Sequence, residues 1–285
     1  MKKQLMFVVS LAFVFILAAC GSTDGDDQAK ETTTWDKVQE EGEIVVGTSG
    51  TLVATSYYPK DSDKLSGYDV EVMRAIGEKL GVDVKFQEMG FDALFAAMNS
   101  GRIDAAINDI EVTDKRKEKY AFTTPYKYSY TTLVVREDGL SGIETLDDLE
   151  GKKAGGAATS VFSDIARHYD AEVITYDNAT NDVYLRDVDN GRTDVIINDY
   201  YLSKLGINAF PQFDLVLHPD IKVHPTKQAI LLEQEDSELQ KKMNEALKEL
   251  QEDGTLTELS KKFFLGEDAS KQPEGEITEI EGIES

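Results

Sequence analysis

The stretch Gly101-Arg-Ile-Asp-Ala-Ala-Ile-Asn-Asp109 occurs a second time, nearly unchanged, as Gly191-Arg-Thr-Asp-Val-Ile-Ile-Asn-Asp199. The copies are 90 positions apart, and the same offset aligns Phe86 with Tyr176 upstream of them. Each copy has the pattern of a strand, a short helix, a glycine turn and a second strand that ends in Asn-Asp. A solenoid needs at least about three repeats, so a unit that occurs twice predicts two similar lobes. The alternative is chance similarity between two ordinary βαβ units.

Strand-like and helix-like segments alternate on both sides of this repeat. Residues 43–47 are a short β-branched run closed by Gly47, and apolar residues at helical spacing follow until Gly81. This alternation is typical of an α/β fold and predicts that each lobe is a mostly parallel sheet flanked by helices. Residues 130–136 and 223–232 predict strands that lead out of the first lobe and back into it.

The N-terminus has the features of a targeting segment. Lys2 and Lys3 precede an apolar run at residues 5–19 that is too short for a comfortable membrane span. The run ends in Leu17-Ala-Ala-Cys20, which resembles a bacterial lipobox and implies cleavage before the cysteine and a diacylglycerol on its sulfur. The alternative is an ordinary secretory signal with an incidental cysteine. We therefore predict a lipoprotein signal peptide at residues 1–19 and a lipidated, flexible tether at residues 20–35.

Charge and composition exclude several classes of function. The formal net charge of -24 and the pI near 4.4 argue against binding to nucleic acid or charge-driven docking on anionic lipid. Cys20 is the only cysteine, which excludes an intrachain disulfide. His168, His218 and His224 lack the spacing of a metal site, and no cofactor motif is present. The acidic composition of residues 266–285 predicts a disordered tail.

The two Asn-Asp pairs lie where ligands bind in sheets of this kind. Ligands of open parallel sheets bind beyond the C-terminal ends of the strands, where helix N-termini present free N–H groups. If the two lobes face each other, Asp109 and Asp199 line one cleft, where a carboxylate can hold an ammonium group. The alternative for Asp109 is a cap on the following turn.

Arg116 provides a site for the opposite charge. Thr113 is a good N-cap, which puts Arg116 at the third helical position, where the helix dipole disfavours a cation and Glu or Gln is usual. An arginine fits there if it binds an anion, and a carboxylate suits the guanidinium fork. A carboxylate at Arg116 and an ammonium at Asp199 together describe an α-amino acid. The alternative for Arg116 is a solvated member of the basic run at residues 115–119.

Seven short motifs between residue 43 and about residue 265 form a recognisable set. They are Gly67-Tyr-Asp-Val-Glu-Val-Met73, Phe91-Asp-Ala-Leu94, Gly101-Arg-Ile-Asp-Ala105, Val112-Thr-Asp-Lys-Arg116, Phe122-Thr-Thr-Pro-Tyr126, Gly191-Arg-Thr-Asp194 with Asp199, and Asp253-Gly-Thr-Leu256 before Phe263-Phe264. Together they resemble the solute-binding proteins of ABC importers for polar amino acids.

This resemblance implies a type II periplasmic-binding-protein-like fold whose two lobes close about a hinge on an amino acid. One lobe comprises residues 36–134 and 225–265, the other residues 135–224, and the two crossing strands hold the hinge. The implied partners are a free amino acid and an ABC permease. With Cys20, the resemblance also implies a monomer that a lipid anchors to the extracytoplasmic face of a bacterial cell membrane.

The resemblance also implies roles for individual residues. The ligand carboxylate is expected at Arg116, Glu111 and Thr113, and the ammonium at Asp199 and Asp109. The cleft wall and the contacts to the ligand side chain are expected at Phe91, Ser49, Leu52, Tyr57, Ala158, Thr159 and Ser160. Two departures concern the ligand side chain: the Pro-Phe pair usual after the first strand is missing, and Asp109 and Glu111 stand where relatives often have serine. Acidic residues there favour a basic amino acid or cystine.

Two other classes of function are alternatives. An extracytoplasmic enzyme on the same fold, similar to arogenate or prephenate dehydratases, needs a general acid in the cleft, and Asp109 or Glu111 has suitable chemistry. A structural or adhesive surface lipoprotein does not need the predicted cleft. Thr159 and Ser160 have no histidine nearby in the sequence to act as a base. We therefore predict a transport protein without catalytic residues, metal or cofactor.

Overall fold

A computed structural model describes residues 33–176 and 178–283. The predicted signal peptide, Cys20 and most of the tether lie outside these residues. None of the helices in the described ranges is long and apolar enough to cross a membrane.

The elements follow the alternation predicted from the sequence. The helices of the described residues are α1 (Thr34–Glu41), α2 (Tyr68–Leu80), α3 (Phe91–Asn99), α4 (Asp114–Lys117), α5 (Val161–His168), α6 (Asn181–Asp189), α7 (Tyr200–Ala209), α8 (Ser237–Glu252) and α9 (Thr255–Phe263). The strands are β1 (Glu43–Thr48), β2 (Thr51–Leu52), β3 (Ser56–Tyr57), β4 (Asp83–Glu88), β5 (Ala105–Ala106), β6 (Tyr120–Phe122), β7 (Lys127–Arg136), β8 (Lys153–Gly156), β9 (Glu172–Thr175), β10 (Ile196–Asp199), β11 (Leu215–Leu217), β12 (Val223–Gln228) and β13 (Leu231–Glu233). Short 3-10 turns lie at Asp138–Gly142 and Leu146–Leu149. α7 and β11 were not predicted from the sequence, because Gly206 and Asn208 weaken the helical pattern of α7 and because β11 is only three residues long.

The first lobe is a five-stranded sheet in the order β4-β1-β5-β13-β6. β1 is parallel to β4 and β5, whereas β13 is antiparallel to β5 and β6. Ile44 and Val46 of β1 pack with α2, α8 and α9, and the intervening Val45 packs with α3 on the other face. Because successive strand residues point to opposite faces, this alternation shows that helices cover the sheet on both sides, as predicted.

The second lobe combines parallel and antiparallel strands. β8 is parallel to β9 and forms a parallel bridge beside β10, while β10, β11 and β12 all pair antiparallel with β7. The parallel part comes from the repeated βαβ unit, and the antiparallel part comes from the long strand that links the lobes. The predicted pair of α/β sheets with flanking helices is confirmed, with more antiparallel pairing than the sequence pattern predicts.

The repeated sequence folds into the same local structure twice. α3 ends before Gly101 and α6 before Gly191, and both glycines have left-handed φ angles, +64° and +71°. Glycine adopts this conformation without the steric cost that a side chain adds. Asp104 and Asp194 then occupy equivalent places, since each carboxylate accepts a backbone N–H from the strand beside it, in β1 at 2.8 Å and in β8 at 2.9 Å. The two lobes are therefore built around one structural unit.

The C-terminal segment differs from its prediction. We predicted disorder for residues 266–285, yet its described part lies along the crossing strands. The carbonyl of Ala269 accepts a backbone N–H from β7 at 2.8 Å, and the backbone of Thr278 forms a parallel bridge with β12. Ile280 is 6% exposed within the apolar core of the second lobe. A few apolar residues thus dock an otherwise acidic segment, which makes a third connection between the lobes.

We expect Ile280→Ala to lower the free energy of unfolding by roughly 2–5 kcal/mol, because it removes buried methyl groups and leaves a cavity. Urea unfolding followed by circular dichroism measures this loss. Ile277→Ala is the matched control, since Ile277 is only half-buried and should cost less than roughly 1 kcal/mol. Equal, small effects of both substitutions would show that the segment does not dock.

Candidate functional site

A cavity between the lobes collects most of the predicted binding residues. Its lining includes Ser49, Leu52, Phe91, Asp109, Glu111, Arg116 and Ser160. The other predicted residues lie outside this lining: Thr113, Tyr57, Ala158, Thr159 and Asp199. Asn198 lines the cavity in place of its neighbour Asp199. The cavity lies beyond the ends of β1, β5 and β10, where ligands of such sheets bind.

Arg116 lies at the predicted helical position. α4 begins after Thr113, whose Oγ1 accepts the backbone N–H of Arg116 at 3.2 Å, which confirms the predicted N-cap. The guanidinium turns back toward the cavity, where Nη1 donates to the backbone carbonyl of Glu111 at 2.7 Å. The side chain is therefore fixed beside the N-terminus of its own helix, a location that also favours anions.

The direct contacts of the Arg116 guanidinium are with neutral groups, while the carboxylates of Glu111 and Asp164 act on it from a distance. Its carbon lies 5.6 Å and 5.4 Å from the ring centroids of Phe91 and Phe95, and Nη2 donates to the carbonyl of Thr159 in the second lobe at 3.2 Å. Burial lowers the pKa of Arg116 more than these two carboxylates raise it, although an arginine stays charged at neutral pH. No ion pair to Arg116 is formed by the residues that the structure describes. A carboxylate is the complementary ligand for such a cation.

The two predicted ammonium anchors share a cation of the protein itself. Lys127, the first residue of β7, is fully buried, and its Nζ lies 2.6 Å from Asp109 Oδ1 and 2.8 Å from Asp199 Oδ2. Asp109 belongs to the first lobe and Asp199 to the second, so Lys127 connects the lobes at the hinge. The ligand-binding role of these carboxylates stays a prediction. Lys127 itself is absent from the predicted site.

The sequence contains a signal for the burial of Lys127. Lys127, Ser129 and Thr131 occupy alternate positions of one strand and are all buried. Alternate residues of a strand face the same side, and lysine is almost never buried without a partner. A lysine on the inward face of a crossing strand therefore predicts a buried carboxylate near the hinge.

The two repeated aspartates have different local roles. Asp199 caps α7, because its Oδ1 accepts the backbone N–H of Leu202 at 3.0 Å. Asp109 has a left-handed φ of 53°, and its backbone N–H donates to Asp69 Oδ2 at 2.7 Å. The cavity touches Asp109 but not Asp199. Equivalent positions in the repeat are therefore not equivalent in the site.

One buried cation faces three buried carboxyl groups here. Burial raises the pKa of Asp69 to about 6 and that of Asp109 to about 8. Burial alone would lower the pKa of Lys127, but Asp109 and Asp199 outweigh it and hold this pKa above its ordinary value. A single ammonium cannot neutralise three carboxylates, so a proton on Asp109 is the expected state at neutral pH.

Glu111, the second acidic position of the cleft, also has a partner. Its Oε1 lies 2.6 Å from His224 Nε2, and both side chains are buried. His224 falls at a register shift in β12, where its φ is 50°. The acidic residues that favoured a basic ligand thus both contact other residues of the protein. Within the described ranges, no group of His, Cys, Asp and Glu side chains is arranged to hold a metal ion.

The lobes touch at the rim of the cavity. Asp92 of the first lobe accepts the Thr159 backbone N–H at 3.2 Å and also its hydroxyl. Asn181 of the second lobe accepts the backbone N–H of Val53 at 3.0 Å. These contacts describe a closed arrangement. They also place Thr159 at the rim, although the cavity lining excludes it.

Comparison with known proteins gives the class of this chain. Residues 44–266 match the family model of bacterial extracellular solute-binding proteins, family 3. The chain belongs to this family, and the predicted class is confirmed. The fold is that of arginine-binding proteins, since a mutant of ArgBP from T. maritima superposes with a TM-score of 0.74 at 25% identity, covering 81% of this chain and 98% of that one.

Particular relatives place the chain among transport binding proteins. It is 53% identical to the probable ABC transporter extracellular-binding protein YckB of Bacillus subtilis, over 98% of both chains. The crystal structure of YckB matches with a TM-score of 0.70, covering 87% of this chain and 99% of that one at 56% identity. The L-cystine-binding protein TcyA of Bacillus subtilis is 33% identical over 95% of this chain and all of that protein. These relatives bind solutes for transport and are not enzymes, as predicted for this chain.

We expect wild type to lose stability relative to Asp109→Asn as the pH rises from about 4 to about 8. The pKa of Asp109 is about 8 in the fold and about 4 in an unfolded chain. The folded state then binds more protons in this window, and each added pH unit costs up to about 1.4 kcal/mol. Urea unfolding at several pH values measures the difference. Asp83→Asn, at an exposed carboxyl of β4, is the control. A difference in stability between wild type and Asp109→Asn that does not change over this window would show that the ion pair with Lys127 outweighs burial.

Proposed function

We propose that this protein is the substrate-binding lipoprotein of an ABC importer that captures a polar α-amino acid in its cleft and delivers it to the permease. Membership of the family supports the class, and Arg116 is the observation that carries the binding mode. Its guanidinium faces the cavity, lies against two aromatic rings and contacts carbonyl groups of both lobes. A ligand carboxylate fits this position because it supplies the anion that Arg116 lacks.

Closure of the lobes is the proposed mechanism of capture. Arg116 lies on the first lobe and reaches Thr159 on the second, so a carboxylate bound at Arg116 lies beside both rims. A ligand that touches both lobes binds the closed state more tightly than the open state and shifts the population toward it. β7 and β12, which pair along the lobe boundary, are the proposed hinge.

The lipobox-like pattern that ends at Cys20 is the basis for a proposal about where the protein is located in the cell. We propose that a lipid on Cys20 anchors the chain to the extracytoplasmic face of the bacterial cell membrane. Two acyl chains on one cysteine are sufficient for stable anchoring without a polybasic patch. Metabolic labelling with palmitate tests this anchor, and a Cys20→Ala chain that still takes up label would contradict it.

The names of two relatives of this protein narrow the set of candidate ligands. One relative is named for L-cystine and another, 29% identical over 94% of this chain, is the arginine-binding extracellular protein ArtP of Bacillus subtilis. We therefore place cystine and the basic amino acids first in a thermal-shift screen of all amino acids. A ligand that binds only the folded state raises the melting temperature. No shift with any amino acid, either free or N-acetylated, would contradict the proposed function.

We expect Arg116→Ala to weaken binding of the best ligand in that screen by tens- to thousands-fold, about 2–5 kcal/mol, because the ligand carboxylate is left without its charged partner. Isothermal titration calorimetry measures this loss. Arg102→Ala is the matched control, since Arg102 is exposed and lies outside the cavity lining. Wild-type affinity in Arg116→Ala would show that the carboxylate binds elsewhere.

A further inference from the structure

We propose that Lys127 supplies the ammonium group that Asp109 and Asp199 bind, so that the ligand is held by its carboxylate and needs no free α-ammonium. The preferred ligands are then amino acids whose α-nitrogen is acylated. This inference rests on the proposed function, because it assumes that Arg116 binds a carboxylate in the cleft.

Lys127 occupies the position predicted for a ligand ammonium. Lys127 Nζ lies 2.6 Å from Asp109 and 2.8 Å from Asp199, the distances expected of a bound ammonium. It also joins a carboxylate of each lobe, which is the bridging role that a ligand ammonium was predicted to fill. Lys127 therefore already makes the two contacts that would otherwise distinguish an amino acid from a simple carboxylic acid.

Displacing Lys127 from its two carboxylates would cost free energy. The Lys127 side chain is 0% exposed, and its Nζ lies 5.7 Å and 5.8 Å from the ring centroids of Tyr201 and Phe264. A ligand ammonium could reach both carboxylates only if this cation moved away from them. A buried ammonium that loses its partners costs several kcal/mol. An entering ammonium would recover that cost at most in part, since it replaces one cation by another.

Few hydrogen-bond acceptors remain around the cavity. The carboxylates in the described lining are Asp92, Asp109 and Glu111, and each already accepts from a donor of the protein. Glu111 Oε2 is buried, and no described residue donates to it. One N–H of an acylated nitrogen, or a hydroxyl, can satisfy such an oxygen without bringing a second charge.

The second lobe contributes an uncharged part of the cavity lining. This part includes the apolar Leu185, Ile196 and Leu202 and the polar Ser160, Asn181 and Asn198, and none of the described residues in it carries a charge. An uncharged wall with apolar patches suits an acyl substituent and offers no counter-charge to a cationic one. The arrangement thus pairs one cation for a carboxylate, Arg116, with uncharged surroundings for the rest of the ligand.

The test compares each amino acid with its N-acetyl form on the full chain. Calorimetric titrations use L-arginine against Nα-acetyl-L-arginine and L-cystine against N,N'-diacetyl-L-cystine. We expect acetylation to leave the Kd within about threefold or to lower it. A loss of more than about thirtyfold, as expected when a charged partner is removed, would overturn the inference while leaving the proposed function intact. Binding of neither form of any amino acid would contradict the proposed function itself.

Variants show whether Lys127 sets this preference. In Lys127→Met the two carboxylates lose their cation, and we expect the free amino acid to bind at least about tenfold more tightly than its acetylated form. Lys227→Met removes an exposed lysine from the paired crossing strand and should behave as wild type. A folded Lys127→Met protein without any such preference would overturn the inference. Circular dichroism establishes folding, and if Lys127→Met does not fold, the wild-type comparison decides alone.

Discussion

The fold depends on a buried cation held between carboxylates of both lobes. An unpaired charge in a protein interior costs several kcal/mol, so Lys127 can be buried only where Asp109 and Asp199 approach it together. This requirement brings the end of β5 and the end of β10 to one point on the crossing strand β7. The hinge and the floor of the cleft lie at this point. The same contact fixes how the two repeated units are placed relative to each other.

The duplication explains the architecture, and the differences between its copies create the site. Both copies use a left-handed glycine after the helix and an aspartate that accepts a strand N–H, so the backbone repeats. The final aspartates then differ. Asp199 is the N-cap of α7 and is hidden from the cavity, whereas Asp109 has a strained backbone and faces it. A symmetric scaffold thereby gains two unlike walls, which an asymmetric ligand requires.

Features governed by neighbouring residues were predictable from the sequence. The repeated unit and the Thr113 cap follow from local rules, because glycine conformation and helix capping act over a few positions. The partners of Lys127 and of Glu111 were not predictable, since Asp199 and His224 are distant in sequence and only the folded chain brings them together. Composition failed for the acidic C-terminal segment because its docking depends on the buried Ala269 and Ile280 and on backbone pairing with β7 and β12.

The motifs that define the family and the residue that changes its chemistry are adjacent. The motif Phe122-Thr-Thr-Pro-Tyr126 ends immediately before Lys127. The matched motifs therefore establish a cleft with Arg116 at one wall and Asp199 behind the other, but they carry no information on whether that aspartate is free. Lys127 already pairs with Asp199, so this aspartate does not bind a ligand cation. Arg116 has no anionic partner among the described residues. An amino acid carries a carboxylate and an ammonium group. The cleft offers a counter-charge without a partner of its own only to the carboxylate, at Arg116.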